Sequence, residues 1–309
     1  MKKILITGGA GFIGSNLVRR LMHNSSIIVL DNLSSGKKKN LPQNKNVKFF
    51  NIDLLKKEKI LKYFKNIDFV YHLAANADIR FGLNHPSKDF KQNCEVTLNV
   101  LEAMRINKIK KIAFTSTAPI YGDTKTFPTP ENAPLSVQTS LYGSSKLYCE
   151  GLIESYSLGY GFVSWIFRLV SVVGENYSHG HVIDFYNKLK KNDKKIKVLG
   201  NGNQKKSIIH VNDFIDALDL SIKKSKKKIN IFNISHNNYI KINDSLKIIQ
   251  KKLKTNAKPK FEKKRTGWIG DQELVLLDNS KIKKLGWKPK YSIKESIQLT
   301  IESLQKIDS

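Results

Sequence analysis

Six short apolar runs alternating with segments of helical periodicity predict an α/β fold, a doubly wound parallel sheet with helices on both faces. Two further observations support it. A glycine-rich turn, TGGAGFIG (Thr7–Gly14), directly follows the first run, and an aspartate, Asp31, ends the second.

The runs are Lys3–Thr7, Ser26–Asp31, Val47–Asp53, Asp68–Ala75, Lys110–Thr117 and Phe162–Val170. Between them, Phe12–Met22 carries Ile13, Leu17, Val18 and Leu21 at helical spacing. A helix ending near Phe64 and helices over Phe90–Arg105 and Leu141–Tyr156 complete the alternation. Beyond Val170 the pattern weakens. Gly174–Gly202 is irregular around a helix at His181–Lys191. Ile208–Ile222 reads as a strand turning into a helix, Ile229–Ser235 as a further sheet strand, and helices are expected near Asn243–Leu253 and Ile293–Gln305. The expected division is a nucleotide-binding domain over residues 1–171 and 208–235, and a smaller α/β domain over 172–207 and 236–309.

With 309 residues and 40% hydrophobic content, the chain has ample material for a core. MKKILITGGAGFIG has too short an apolar run for a signal peptide, and no run is long enough to span a bilayer. Cys94 and Cys149 do not form a CxxC motif and read as reduced structural thiols, so a cytoplasmic protein is expected. The net charge of +28 points to nucleic acid, a membrane surface or an anionic substrate. Yet only six arginines accompany forty-eight lysines, and these are scattered in runs such as Lys37–Lys39 and Lys223–Lys228. Nucleic-acid readers rely on arginine for bidentate base contacts, so a solvated lysine surface is the better reading, with neither nucleic acid nor membrane as partner.

Gly8, Gly11 and Gly14 sit between a strand and a helix mouth. There, one glycine permits the turn, one lets backbone N–H groups approach a pyrophosphate, and one lets the helix pack close. Asp31, about twenty residues on, is placed to accept both ribose hydroxyls of NAD and to repel the 2′-phosphate of NADP. Lys37–Lys39 are the one nearby feature suited to a phosphate. The sheet is therefore expected to be of Rossmann type, with NAD as cofactor.

Tyr142 and Lys146, in YGSSK, share a helix face. On spacing alone the pair is an ordinary amphipathic contact. Together with the glycine loop and with Thr117 at the end of the fifth strand, it reads as a base: a neighbouring ammonium is expected to lower the tyrosine pKa toward neutrality.

TGGAGFIG, DNLSSG, YHLAA, TSTAPIYG and YGSSK, in this order, resemble the extended short-chain dehydrogenase/reductase superfamily. Within it they are most similar to the NAD-dependent nucleotide-sugar epimerases and dehydratases, above all the UDP-glucose 4-epimerases. GNGNQKKSIIHVND (Gly200–Asp213) and LDNSKIKKLGWKP (Leu277–Pro289) look like that family's nucleotide-sugar-binding domain. The resemblance implies Tyr142 as base, Lys146 on the nicotinamide ribose and Thr117 on the sugar hydroxyl. It implies a cofactor shell of Gly8, Gly11, Phe12, Ile13, Gly14, Asp31, Asn32, Ser35, Gly36, Asp53, Leu54, Leu73, Ala74, Ala75, Thr115 and Val170, joined by Tyr142 and Lys146. For the substrate it implies Arg80, Ser171, Val182, Gln204, Lys206 and Arg265 beside Thr117. Asn93 is expected to prop neighbouring elements. A homodimer through the helices near Asn93–Arg105 and Leu141–Tyr156, and a place in cell-surface polysaccharide biosynthesis, also follow.

Three departures refine the expectation. The dehydratases carry an acid directly after the threonine; here Ala118 and Pro119 follow Thr117, so elimination is not expected. Ser171 stands where the epimerases usually have asparagine, and Lys206 where an arginine usually grips the diphosphate, which leaves Arg265 as the candidate fork. His179 and His181 lack a third ligand, so no metal is expected. The leading expectation is an isomerase: an NAD-dependent nucleotide-sugar 4-epimerase, with a UDP-sugar favoured. The alternatives are epimerisation or net 4-oxidation of another sugar nucleotide, such as UDP-glucuronate, UDP-N-acetylglucosamine, or a GDP- or CDP-sugar. A non-catalytic NAD-binding sensor is the alternative of a different class.

Overall fold

The structure, a computed structural model, describes residues 1–225 and 227–308; Lys226, within the lysine run noted above, lies outside them. Its centre is a seven-stranded parallel sheet. Strands β1 (Lys2–Thr7), β2 (Ser25–Asp31), β3 (Val47–Asn51), β4 (Phe69–His72), β5 (Lys111–Thr117) and β6 (Val163–Leu169) are joined by Ile229–Ile234. The spatial order is Ile229–Ile234, β6, β5, β4, β1, β2, β3. Both faces are covered, which is why β4 is buried throughout and β5 and β6 nearly so. Leu5, Val70, Val100, Met104, Phe114 and Ile153 share the main apolar cluster.

The winding reverses between β1 and β4, and in such sheets ligands bind outside the carboxyl ends of the strands at this point. Register makes the ends level: Thr7 lies opposite both Leu30 and His72. The loops leaving β1, β2 and β4 therefore emerge together.

Four elements differ from the sequence expectation. β4 ends at His72 rather than at Ala75; beyond it the Leu73 N–H is shared between the Thr7 carbonyl and hydroxyl, each at 3.2 Å, and the Ala74 N–H goes to the hydroxyl, also at 3.2 Å. β3 ends at Asn51, and Asp53 instead uses its carboxylate to accept the Leu55 N–H at 3.0 Å. The helix expected over Phe90–Arg105 is a helical turn begun by Pro86 (Pro86–Asp89), a π-helical stretch (Phe90–Glu95) and an α-helix (Val96–Ile106). The helix from Leu141 runs on to Tyr160.

The chain forms two compact units: Met1–Ile120 with Leu141–Arg168 and Ser221–Phe232, and Tyr121–Ser140 with Leu169–Leu220 and Asn233–Ser309. The second contains short strand pairs, among them Ser171–Val173 with Ile208–His210 and Lys195–Val198 with Lys258–Phe261, and the helices His181–Lys191, Ile242–Leu253 and Ile293–Asp308. Among the described residues no helix is long and apolar enough to cross a membrane, and no cluster of ligating side chains could hold a metal.

Candidate active site

The glycine loop is a backbone cradle. Gly8 has φ +69°, a conformation L side chains rarely adopt, and a Cβ there would lie 2.7 Å from the Ala74 nitrogen. A Cβ on Gly14 would lie 2.2 Å from the Gly8 carbonyl oxygen, so the helix Phe12–Leu21 meets the turn at backbone distance. No side chain caps that helix, and its first turn, with Phe12, Ile13 and Gly14, holds no acid. Such an N-terminus suits phosphate oxygens.

Asp31 is tied to the same loop. Its Oδ2 accepts the Ala10 N–H at 3.0 Å and its Oδ1 the Leu33 N–H at 2.8 Å. Burial pushes its carboxyl up, and the two N–H groups oppose that. Each oxygen keeps a lone pair for a hydroxyl. The following segment is pinned: Lys37 N–H and Asn40 Nδ2 both donate to the Ala10 carbonyl, at 3.0 and 2.9 Å. Asn32 accepts the Ser34 N–H at 3.0 Å, Ser35 is exposed and Gly36 is buried. Asp53 and Leu54 follow β3, and the Leu54 carbonyl is held by Asn99 Nδ2 at 3.0 Å. Sequence reading missed Asn99. Its signal was an amide on an otherwise apolar stripe of the helix Val96–Ile106. Backbone cradle, uncapped helix and spare carboxylate acceptors together fit a dinucleotide.

Under the cradle runs a hydrogen-bonded chain with a fixed direction. The Thr7 hydroxyl already accepts from Leu73 and Ala74, so its own proton goes to His72 Nδ1, 2.7 Å away. His72 Nε2–H then donates to Thr97 Oγ1 at 2.9 Å, and Thr97 donates to Cys149 Sγ at 3.3 Å. Burial first, and Lys146 second, hold His72 down to about 3, so it is neutral. Leu73 and Ala74 are thus held by a Thr7 hydroxyl that is itself fixed by His72, and Ala75 follows them.

The three residues expected to act on substrate meet in the first unit. Thr117 ends β5 and shares a side-chain hydrogen bond with Tyr142; Thr115 lies two residues earlier, also buried. Lys146, 2% exposed, sits one turn beyond Tyr142 with Nζ 4.4 Å from the centre of the Phe114 ring. The electrostatics correct one expectation. In the chain itself Lys146 does not pull Tyr142 toward neutrality. Burial pushes Tyr142 up to about 12, aided by Asp89 and Cys149 and opposed by Thr117. Burial also brings Lys146 down to about 8, which weakens its hold on a phenolate. Arg80, in the loop after β4, is half-buried with Nε 3.5 Å from Asp78 Oδ1.

The remaining substrate candidates lie in the second unit with Val170, which is buried and donates its N–H to the Ile234 carbonyl at 3.4 Å. Ser171 opens the strand Ser171–Val173 and is half-buried; Val182 is fully buried in the helix His181–Lys191. Gln204 is buried, its Nε2 donating to the Leu199 carbonyl at 3.2 Å. Lys206 Nζ is engaged by Asp271 Oδ1 at 2.7 Å and by the Gln272 carbonyl at 2.5 Å. Asp271 Oδ2 accepts the Gly267 N–H at 2.8 Å, so the lysine is held in place. Arg265 is exposed, with Glu273 3.9 Å away. His181 is bonded to Ser245 at 3.0 Å and held down to about 4, chiefly by burial.

Comparison with known proteins identifies the family. The sequence model of the NAD dependent epimerase/dehydratase family matches residues 4–235. A Methanocaldococcus jannaschii protein, provisionally named a UDP-glucose 4-epimerase, is 34% identical over 96% of this chain and 97% of its own. UDP-glucuronic acid decarboxylase 6 of Arabidopsis thaliana is 31% identical over 98% of this chain and 89% of its own. The solved UDP-glucose 4-epimerase of Thermotoga maritima, with UDP-glucose, is 32% identical and superposes with TM-score 0.91 over 99% of this chain and 100% of its own. The chain belongs to the NAD-dependent epimerase/dehydratase family, whose members act on nucleotide sugars, and its cofactor is NAD.

Proposed function

We propose that the protein is a nucleotide-sugar 4-epimerase acting on a UDP-sugar. The observation that carries this reading is Tyr142 bonded to Thr117, one helical turn from the buried Lys146, with Ala118 and Pro119 where an eliminating acid would stand. NAD, when bound, would supply reversible hydride exchange at the sugar C4, and its positive ring would favour a phenolate nearby. Thr117 orients the C4 hydroxyl. Tyr142 receives that proton during oxidation and restores it during reduction. Lys146 holds the nicotinamide ribose and lowers the cost of the Tyr142 phenolate in the loaded enzyme. Asp31 holds the adenosine ribose, and the glycine loop holds the pyrophosphate. In the second unit the resemblance supplies Lys206, Gln204, Ser171 and Val182 as substrate candidates, with Lys206 already engaged by Asp271. With no acid to expel water, the 4-keto sugar is reduced on its other face and leaves as the C4 epimer.

The Arabidopsis relative favours UDP-glucuronate as a second substrate reading, with Arg80 as partner for its carboxylate. One experiment separates the two: incubation of purified protein with UDP-glucose, UDP-N-acetylglucosamine or UDP-glucuronate without added cofactor, followed by proton NMR. A C4 epimer supports the first reading. A pentose product with loss of carbon dioxide replaces it.

A homodimer is part of the proposal. The helix Leu141–Tyr160 exposes Leu141, Tyr148, Gly151, Ser155 and Leu158 along one stripe, and the helix Val96–Ile106 exposes Leu98 and Ile106. Two such helix pairs would cover one another's apolar side chains. Sedimentation of wild type and of Leu158→Glu tests it, with monomer expected for the variant.

A further inference from the structure

A buried carboxylate with no part in the roles above lies within electrostatic reach of Tyr142. Asp89 closes the turn Pro86–Asp89, leads into the π-helical stretch and is 1% exposed. Its Oδ1 accepts Asn76 Nδ2–H at 2.7 Å. Its Oδ2 is buried without a hydrogen-bond partner among the described residues. The backbone closes over it, since a Cβ on Gly82 would lie 2.1 Å from that oxygen. An unmatched buried oxygen is costly, and native chains keep few of them.

From Asn76 the hydrogen bonds run on without a break. Its backbone N–H donates to Asn93 Oδ1 at 2.8 Å, which turns the Asn93 amide nitrogen toward Ser145 Oγ, also 2.8 Å away. Ser145, having accepted there, donates its proton to the Tyr142 carbonyl at 2.8 Å. The π-helical stretch supplies Asn93, and such stretches recur at functional sites.

We propose that Asp89 is a positioning residue for Tyr142: its carboxylate anchors the chain through Asn76, Asn93 and Ser145 that fixes the first turn of the helix bearing Tyr142 and Lys146. The proposal rests on Tyr142 being the base. The same carboxylate also opposes a Tyr142 phenolate, behind the larger effect of burial. The charged and titratable groups around the pair are few. Asp78, paired with Arg80, and Cys94 face Asp89; Cys149 faces Tyr142; Lys146 faces Cys94, Cys149, Glu150 and His72.

The test uses the full chain with Asp89→Asn, which keeps the acceptor and removes the charge, and Asp89→Leu, which removes both. Tyrosinate absorbance is titrated for each variant against the same variant carrying Tyr142→Phe, so that the difference isolates Tyr142 and needs no substrate. In Asp89→Asn, Tyr142 is expected to titrate lower than in wild type, with kcat within about threefold of wild type because the chain is intact. In Asp89→Leu, kcat is expected to fall about tenfold or more at unchanged KM. An unshifted Tyr142 titration in Asp89→Asn overturns the proposal. So does equal loss of urea stability in both variants with wild-type kcat. If wild type turns over no sugar nucleotide, the base reading fails instead, and the titration still decides what Asp89 does to Tyr142.

Discussion

Arg168 and Glu150 form a buried forked ion pair, with Nη2 2.8 Å from Oε2 and Nε 3.2 and 3.1 Å from Oε1 and Oε2. The arginine near the end of β6, three residues before Ser171, therefore ties the sheet to the helix Leu141–Tyr160. Arg168→Met leaves Glu150 buried and uncompensated, at a cost of about 3–5 kcal/mol. Arg168→Met with Glu150→Leu is expected to recover most of that loss. Urea unfolding of the three proteins measures both numbers, and a single variant as stable as wild type would show that the pair is idle.

Tyr142→Phe removes the proton acceptor and leaves the ring. Turnover is expected to fall by roughly 10²–10⁴, while NAD still copurifies, because the cradle is made by other residues. Released cofactor and NMR-monitored turnover are the two measurements. Turnover at the wild-type rate would exclude Tyr142 as the base.

Asp31→Ser takes away the carboxylate that accepts from Ala10 and Leu33 and, by proposal, from the ribose. Losing charged hydrogen bonds worth about 1.5–3 kcal/mol should weaken NAD binding roughly ten- to hundredfold. The repulsion of a 2′-phosphate goes with it, so NADP should gain on NAD. Calorimetric titration of cofactor-stripped protein with each dinucleotide gives the ratio; an unchanged ratio would clear Asp31 of that role.

His72 makes stability depend on acid. Its folded value, about 3, lies below its ordinary 6.5, so the unfolded chain binds more protons between those values. Stability contributed by the neutral ring is present above pH 6.5 and is lost as pH falls toward 3. Going from about pH 7.5 to about pH 5.5 should cost about 1.4 kcal/mol through this residue. Urea midpoints of wild type and His72→Gln at both values check it: the variant's pH difference should be smaller by that amount.

Much of this was legible along the chain. The sheet strands announced themselves because a parallel strand covered on both faces is a continuous apolar run, and Thr7–Gly14 with Asp31 is a local pattern with a local cause. What was not legible depends on partners far away in the chain. β4 stops where the Thr7 hydroxyl takes the Ala74 N–H and shares that of Leu73. The π-helical stretch and the roles of Asp89, Asn76 and Asn99 rest on hydrogen bonds that join separate segments. The rise of the Tyr142 pKa is likewise a burial effect, invisible in YGSSK. Lys206 could be read as a cation, but not as one already engaged by Asp271. Strands of two to four residues, such as Lys205–Lys206 and Lys195–Val198, are too short to leave a period.

The strand Ile229–Ile234 lies outside β6 in the sheet, yet the chain makes it long after β6. Until those residues leave the ribosome, β6 is the edge of the sheet, and the backbone groups that face the missing neighbour are unpaired. Ser164 N–H finds the Lys228 carbonyl, and the Ser164 carbonyl finds Asn230 Nδ2, only once the later segment arrives. An unprotected edge is a template for another chain. Any nascent chain whose first six strands have paired before residue 229 emerges would expose this edge, with the cofactor loop already in place.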